Sequence, residues 1–373
     1  MQKIIVAPDS FKGSICAIDA AHAIARGLKS GACNAPDIVC VPIADGGEGT
    51  LAAIVPKDQW YSLRICGPDG SKVEAHYGHK DDVAVIEMAE AAGLTLIDEK
   101  SRSAMKTTGY GVGELISDAM DKGYRRILLT VGGSATNDGG AGMMAALGVQ
   151  FFNAQGQKFI PVGGTLINIS HIDISRLDKR LQTCEIRIAT DVKNPLVGDL
   201  GAANVYARQK GASDDEIAAM EKGMQWYAGQ IKALSDKDMT FAEGCGAGGG
   251  LPFPLLSLCN AQICSGIDAV LQTVSFETAL ENASMVITGE GCLDVQSFYG
   301  KAVSGVIKAA KARHVPVFCF SGCTGAAKDE LISLGMEEIY TLVEIAPSRE
   351  YAMTHADAWL EELARRFACE KGL

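Results

Sequence analysis

The sequence predicts an α/β protein built mainly on parallel sheets, and three observations carry that prediction. Short apolar, β-branched runs recur along the chain with stretches of helical periodicity between them. Glycine occurs 42 times in 373 residues, as many tight strand-to-helix turns require. Hydrophobic content is 47 % and charged content 21 %, which suits a large buried core covered on both sheet faces. At about 100–200 residues per domain, the length implies two or three domains.

The first apolar run, 4–7, reads as a buried strand. After a polar loop, Ile18, Ala21, Ile24, Ala25 and Leu28 recur at helical spacing, and Gly31 is expected to supply the C-cap. Further strands are predicted at 83–86, 127–131, 186–189, 285–287, 317–320 and 339–343. Helices are predicted at 112–120, 301–313, 326–334 and 350–368. Ser213 followed by Glu216 is a capping box that opens a helix running to about Leu234. There is no fixed-period repeat and no coiled-coil heptad. The one loose stretch, 242–258, is rich in glycine and proline and reads as a hinge or ligand loop.

Charge narrows the function classes. Lysine and arginine number 34 against 45 acids, a net of −11, with no basic run. Nucleic acid and anionic membrane surfaces are therefore poor partners. The twelve cysteines form no CxxC pair and read as reduced thiols of a cytoplasmic protein. No stretch has the length and apolarity of a membrane span.

Ligands of open α/β sheets collect at the carboxyl ends of strands, so the residues that follow each strand are the informative ones. After the first strand come Asp9, Ser10, Phe11, Lys12, Gly13 and Ser14, just ahead of a helix start that favours anions. The alternative for Ser10 or Ser14 is a plain N-cap. Next, Asp45 and Glu48 flank the pair Gly46-Gly47. The strongest local signal follows the strand ending at Val131: Gly132, Gly133, Ser134, Ala135, Thr136, Asn137, Asp138, Gly139 and Gly140. Glycines there let successive backbone N–H groups face a phosphate, with hydroxyls and an acid interleaved. Asp191, Lys193 and Asn194 follow another strand, and Glu290 and Asp294 follow the strand at 285–287. Asp191, Glu290 and Asp294 are oxygen ligands of the kind Mg²⁺ prefers, although each taken singly could be a helix cap.

Several motifs are excluded. Gly300-Lys301 is no Walker A loop, because that pattern needs glycine where Val295 stands and Ser or Thr where Ala302 stands. Gly109, Gly111 and Gly113 make a poor dinucleotide fingerprint and read as a helix-entry turn. The histidines, His22, His76, His79, His171, His314 and His355, form no HExxH or triad-like cluster. The residues alone thus describe an enzyme for an anionic, phosphorylated ligand with a divalent cation, either a kinase or a phosphohydrolase.

Taken together, the segments 7–14 (APDSFKGS), 44–50 (ADGGEGT), 132–140 (GGSATNDGG), 191–196 (DVKNPL), 209–212 (QKGA) and 288–291 (TGEG) with Asp294 and Gly300-Lys301 resemble the type I glycerate kinase family over essentially the whole chain. The resemblance implies ATP, Mg²⁺ and D-glycerate, with transfer usually to the 2-hydroxyl. It also implies a flavodoxin-like domain built from residues 1–65 and 285–373, a second α/β domain inserted at 66–284, and an active site in the cleft between them. The sequence departs from the family at Cys292, where an arginine usually follows the TGEG element, and at 244–250, which matches only approximately.

These readings set the expectations for the site. Asp9, Ser10, Lys12, Glu48 and Asn194 are candidate glycerate-binding residues. The triphosphate is expected along Gly132–Gly139 and Mg²⁺ on Asp191, Glu290 and Asp294. Lys12, Ser10 and the helix start after them are the candidates for the glycerate carboxylate, Asp45 or Asp191 is the candidate base, and Lys301 is expected to offset charge on the transferring phosphoryl group. A kinase of a related hydroxy acid and a non-catalytic binding protein are the competing expectations, and a homo-oligomer is left open.

Overall fold

The structure, a computed structural model, describes residues 2–298 and 301–373. Gly300, half of the expected Gly300-Lys301 element, lies outside the described residues. The chain is mixed α/β with mostly parallel sheets, and it divides into two units: Met1–Lys57 with Gly266–Leu373, and Asp58–Ser265.

The first unit holds a five-stranded sheet of β1 (Lys3–Pro8), β2 (Asp37–Cys40), β12 (Ala283–Leu293), β13 (Val317–Thr324) and β14 (Glu338–Thr341). Its order is β14-β13-β12-β1-β2 and every pairing is parallel. Counted along this unit alone, that is the flavodoxin order 2-1-3-4-5. Ile4 through Ala7 are fully buried, as a central parallel strand covered on both faces demands. The core joins both ends of the chain, with Ile24 and Leu28 packing in one cluster with Leu360, Leu363 and Phe367.

The second unit holds a six-stranded sheet, β11-β10-β6-β5-β4-β3. Its parallel part is β5 (Val83–Glu87), β6 (Arg126–Thr130), β10 (Glu185–Ala189) and β11 (Gln262–Cys264). An antiparallel hairpin, β3 (Trp60–Cys66) with β4 (Lys72–Lys80), completes one edge. A small antiparallel sheet of β7 (Gln150–Phe152), β8 (Lys158–Phe159) and β9 (His171–Asp173) lies apart. The capping box forms as expected: the Ser213 amide donates to Glu216 Oε2 at 2.8 Å and the Glu216 amide to Ser213 Oγ at 3.4 Å.

Two sequence expectations need correction. The last helix is two helices, Arg349–Thr354 and Ala356–Lys371, because His355 leaves helical geometry at φ −127°, ψ 33° and stacks on Tyr351 with ring centroids 4.1 Å apart. Gly31 does not cap its helix; it is the last residue of Ala17–Gly31, and Ala32 is the cap. Its purpose is close approach. A Cβ at Gly27 would lie 2.0 Å from the Glu361 carbonyl oxygen, and one at Gly31 would lie 2.3 Å from that of Arg365. Spaced by one helical turn, the two glycines seat Ala17–Gly31 directly on the backbone of Ala356–Lys371.

Replacing Gly27 with alanine forces these helices apart and is expected to lower the stability of the first unit by about 1–3 kcal/mol. Urea denaturation measures this, and an unchanged midpoint would refute the packing argument.

Candidate active site

The flavodoxin strand order reverses direction between β1 and β12, the place where such sheets bind ligands. The seam is tightly set. The Thr288 hydroxyl donates to the Ala7 carbonyl at 2.9 Å, and the Asp9 amide donates to the Gly289 carbonyl at 2.8 Å. β12 outruns β1 here, staying paired with β13 through Glu290–Ser321 and Cys292–Cys323. Glycine is required at this exit, since a Cβ at Gly289 would lie 1.9 Å from the Phe320 carbonyl oxygen. Register therefore delivers Asp9 and Glu290 side by side where β1 ends.

A cavity of about 260 Å³ opens at this point, within the first unit. Asp9, Lys12, Asp45, Glu290 and Lys301, with the Ser10 hydroxyl, give it a polar, charged side, and Leu342, Val343, Ala352 and Met353 an apolar one. The Ser14 hydroxyl donates to the Met353 carbonyl and ties the Asp9–Ser14 loop to the Arg349–Thr354 helix. Ser14 is thus no N-cap; the cap is Cys16, whose sulfur accepts from the Asp19 amide at 3.4 Å. Asp45 is fixed by the Gly47 amide, which donates to Oδ1 at 2.9 Å. The turn depends on Gly46 at φ 83°, whose absent side chain leaves room for Gly266, 2.4 Å from an ideal Cβ. Glu48, three residues on, is exposed.

The carboxylates strain one another. Burial, opposed by the Ser10 amide and Lys12 but reinforced by Asp45, raises the Asp9 carboxyl to about 6. Burial raises Glu290 to about 7; Asp9 and Asp294 add to this, while the Ser297 hydroxyl and Lys301 oppose it. Glu290 Oε1 is buried without a hydrogen-bond partner. A buried, unpartnered acceptor among acids is a place for a cation or a ligand donor. Asp294 also shows the capping role, since its Oδ1 accepts from the Ser297 amide at 3.0 Å. Lys301 is exposed at the N-cap of the helix Ala302–Ala312. Among the described residues, no three His, Cys, Asp or Glu side chains already form a metal cage.

The glycine-rich turn belongs to the second unit and is mostly interior. Thr136, Asn137 and Asp138 are fully buried and Ser134 nearly so, leaving Gly133 as the exposed residue and Gly132 half-buried. Asp138 accepts backbone N–H bonds from Gly109 at 2.7 Å, Gly140 at 3.0 Å and Gly142 at 3.1 Å. Burial nonetheless holds its carboxyl above the usual range. Lys210, from the 209–212 segment, donates to Ser134 Oγ at 2.8 Å and to the Thr136 carbonyl at 2.7 Å. Burial lowers this ammonium to about 7 against the pull of Asp138. The loose 242–258 stretch packs onto the turn, with a bond from the Gly139 amide to the Gly249 carbonyl at 3.0 Å. Thr136 Oγ1 and both polar atoms of the Asn137 side chain lack partners.

Asp191 is exposed just after β10. Asn194 is absorbed locally: its Nδ2 donates to the Leu200 carbonyl at 2.8 Å and its Oδ1 accepts from the Tyr206 hydroxyl at 2.7 Å. The structure thus gathers Asp9, Ser10, Lys12, Asp45, Glu290 and Lys301 about one cavity, while Asp191, Asn194 and the 132–139 turn belong to the other unit. Sequence reasoning missed Arg349, Cys323 and the apolar wall from 342–356. The signal existed, because this segment also follows a strand, β14.

Ionised Glu290 is expected to weaken the ligand-free fold. Its folded pKa lies above the ordinary 4.5, so stability falls as pH rises from about 4.5 to about 7. Glu290→Gln should raise stability by about 1–3 kcal/mol at pH 8 and by little at pH 5, where the native carboxyl is already protonated. Thermal unfolding at both pH values measures this, and an equal difference at each would refute the assignment.

The glycerate kinase family profile matches residues 4–370. A glycerate kinase of Halalkalibacterium halodurans is 41 % identical over 372 residues, covering 99 % of this chain and 98 % of that protein. The glycerate 2-kinase of Escherichia coli is 42 % identical over 335 residues, 88 % of this chain and 86 % of its own. A crystal structure assigned to glycerate kinase 2 of Salmonella typhimurium superposes with a TM-score of 0.88 at 38 % identity, covering 99 % of this chain and 98 % of that one. The fold, the strand-end loops and these similarities agree, and the chain belongs to the glycerate kinase family.

Proposed function

We propose that this kinase transfers the γ-phosphoryl group of ATP to the 2-hydroxyl of D-glycerate in the cytoplasm, giving 2-phosphoglycerate and ADP, with Mg²⁺ as cofactor. The 2-position follows the relative named glycerate 2-kinase. The observation that carries the reading is the Asp9–Glu290 pair at the strand exits, with Lys12, Lys301 and Asp45 around one cavity. No helix among the described residues is long and apolar enough to cross a membrane, and all twelve cysteines are free thiols, which supports the cellular placement.

The residues fit Mg²⁺, which takes oxygen ligands and keeps several waters, so one or two carboxylates suffice. Glu290, with its unpartnered Oε1, would be the first of these and Asp294 the second, while Asp191, the third residue of the expected set, belongs to the other unit. Bound Mg²⁺ would neutralise charge on the phosphate oxygens. Lys12 and Lys301 supply further positive charge. Asp45, held by the Gly47 amide, orients the glycerate hydroxyl and accepts its proton; Asp191 is the other candidate for that role. Asp9 and Ser10 hold the remaining hydroxyl. The triphosphate is assigned to the 132–139 turn, where the accessible backbone of Gly132 and Gly133 offers N–H groups. Since the transition state is loose, positioning and charge neutralisation supply most of the rate.

The test is ³¹P NMR of the products formed from Mg-ATP and D-glycerate. A resonance of 2-phosphoglycerate is expected; 3-phosphoglycerate would overturn the hydroxyl assignment, and unchanged ATP would overturn the substrate. Asp45→Asn should lower kcat by about 10²–10⁴-fold with the KM for ATP little altered. Near-normal turnover in Asp45→Asn would transfer the base to Asp191, and near-normal turnover in Asp191→Asn would remove that acid from base and metal roles.

A further inference from the structure

We propose that Arg349 grips the carboxylate of the hydroxy-acid substrate in this chain, serving from the segment after β14. The inference rests on the glycerate kinase reading and names a residue outside the strand-end loops that carry it.

Arg349 lines the same cavity as Lys12, Glu290, Cys292 and Lys301. It is the first residue of the Arg349–Thr354 helix, with its backbone set by the Ser348 cap, whose hydroxyl accepts from the Tyr351 amide at 3.1 Å. That helix is joined to the Lys12 loop through the Ser14 hydroxyl and the Met353 carbonyl, so Arg349 and Lys12 belong to linked walls.

The other arginines of this unit are engaged. Arg26 bonds Asp357 and Glu361, Arg313 bonds Glu277, and Arg365 and Arg366 share Glu362. Of the five arginines of this unit, only Arg349 has a side chain with no ion pair or hydrogen bond to the described residues, although the chain carries a net charge of −11 and its cavity holds Asp9, Asp45 and Glu290. A guanidinium kept from nearby acids and facing a cavity is available to an incoming anion. Its planar fork matches a carboxylate in bidentate fashion, whereas the ammonium groups of Lys12 and Lys301 act as point charges suited to phosphoryl oxygens.

Cys292, near the end of β12, lines the same cavity as Cys323 and Arg349, and a thiol brings no positive charge.

The test is steady-state kinetics of wild type, R349K, R349M and the double variant R349M/C292R, with D-glycerate and with its uncharged amide. Losing a charged bidentate contact should raise the KM for D-glycerate by about 10–100-fold, with kcat and the KM for ATP changing by less than about threefold. R349K should fall between the two, the KM for the amide should hardly move, and C292R should restore much of the loss. An unchanged KM for D-glycerate in R349M, a loss confined to ATP, or an equal loss on acid and amide would each overturn the proposal. Should the wild type phosphorylate a different hydroxy acid, the same comparison on that acid and its amide decides the role of Arg349 separately from the identity of the substrate.

Discussion

The pairing of β1 with β12 is the constraint on which the site depends. Residues 3–8 and 283–289 are far apart in sequence, yet their parallel register fixes the first unit and decides which side chains emerge together. Because Pro8 pairs with Gly289, the next residue on each strand is an acid, Asp9 and Glu290. One residue of slip in either strand would separate them and turn each to the other face. The Thr288 hydroxyl and the Asp9 amide, each bonded to the facing strand, hold this register at its last rung.

Two buried acids in this protein show how the same chemistry serves structure in one place and function in another. Asp138 is more deeply buried than Glu290, but three backbone amides surround it and Lys210 lies close by, so its lone pairs are satisfied. It organises the glycine-rich turn from within. Glu290 is left with an unpartnered oxygen, two acidic neighbours and only Lys301 and the Ser297 hydroxyl in opposition. A protein selected only for stability would have replaced or paired such a group. Its retention fits a site designed to be completed by a cation and an anionic ligand, with stability given up for binding.

Much of the first unit was legible in the sequence because buried parallel strands are continuous apolar runs: 4–7, 285–287 and 317–320 all fall inside observed strands. The strand-end rule then found Asp9, Lys12 and Glu290, while Asp45 was legible from the glycine pair beside it, the strand β2 ahead of it having no clear apolar signal. The hairpin of β3 and β4 went unread, since Trp60–Cys66 is half-exposed and edge strands carry a weak apolar signal. Its turn, Gly67-Pro68-Asp69-Gly70, was the available cue, with Gly70 at φ 86°. The interior of the 132–140 turn was illegible for another reason. A glycine that bares backbone to a ligand and one that admits a packing neighbour look alike in sequence. Only the structure shows that Gly139 faces Met224 and Tyr227 at 2.8–3.0 Å from an ideal Cβ.

The same limit explains why Arg349 escaped a reading based on motifs. A functional cation is recognised in sequence when it sits at a fixed spacing from glycines and acids, and Arg349 lies outside every such motif of this chain. Geometry has no such requirement. What a carboxylate needs is a guanidinium within reach of the bound substrate, whichever strand exit supplies it. In this parallel sheet the loops after β12, β13 and β14 leave the same carboxyl end, so a charge absent from the first can be supplied by the last. The cavity lining, with Cys292, Cys323 and Arg349 drawn from three successive strand exits, is the arrangement that such an exchange needs.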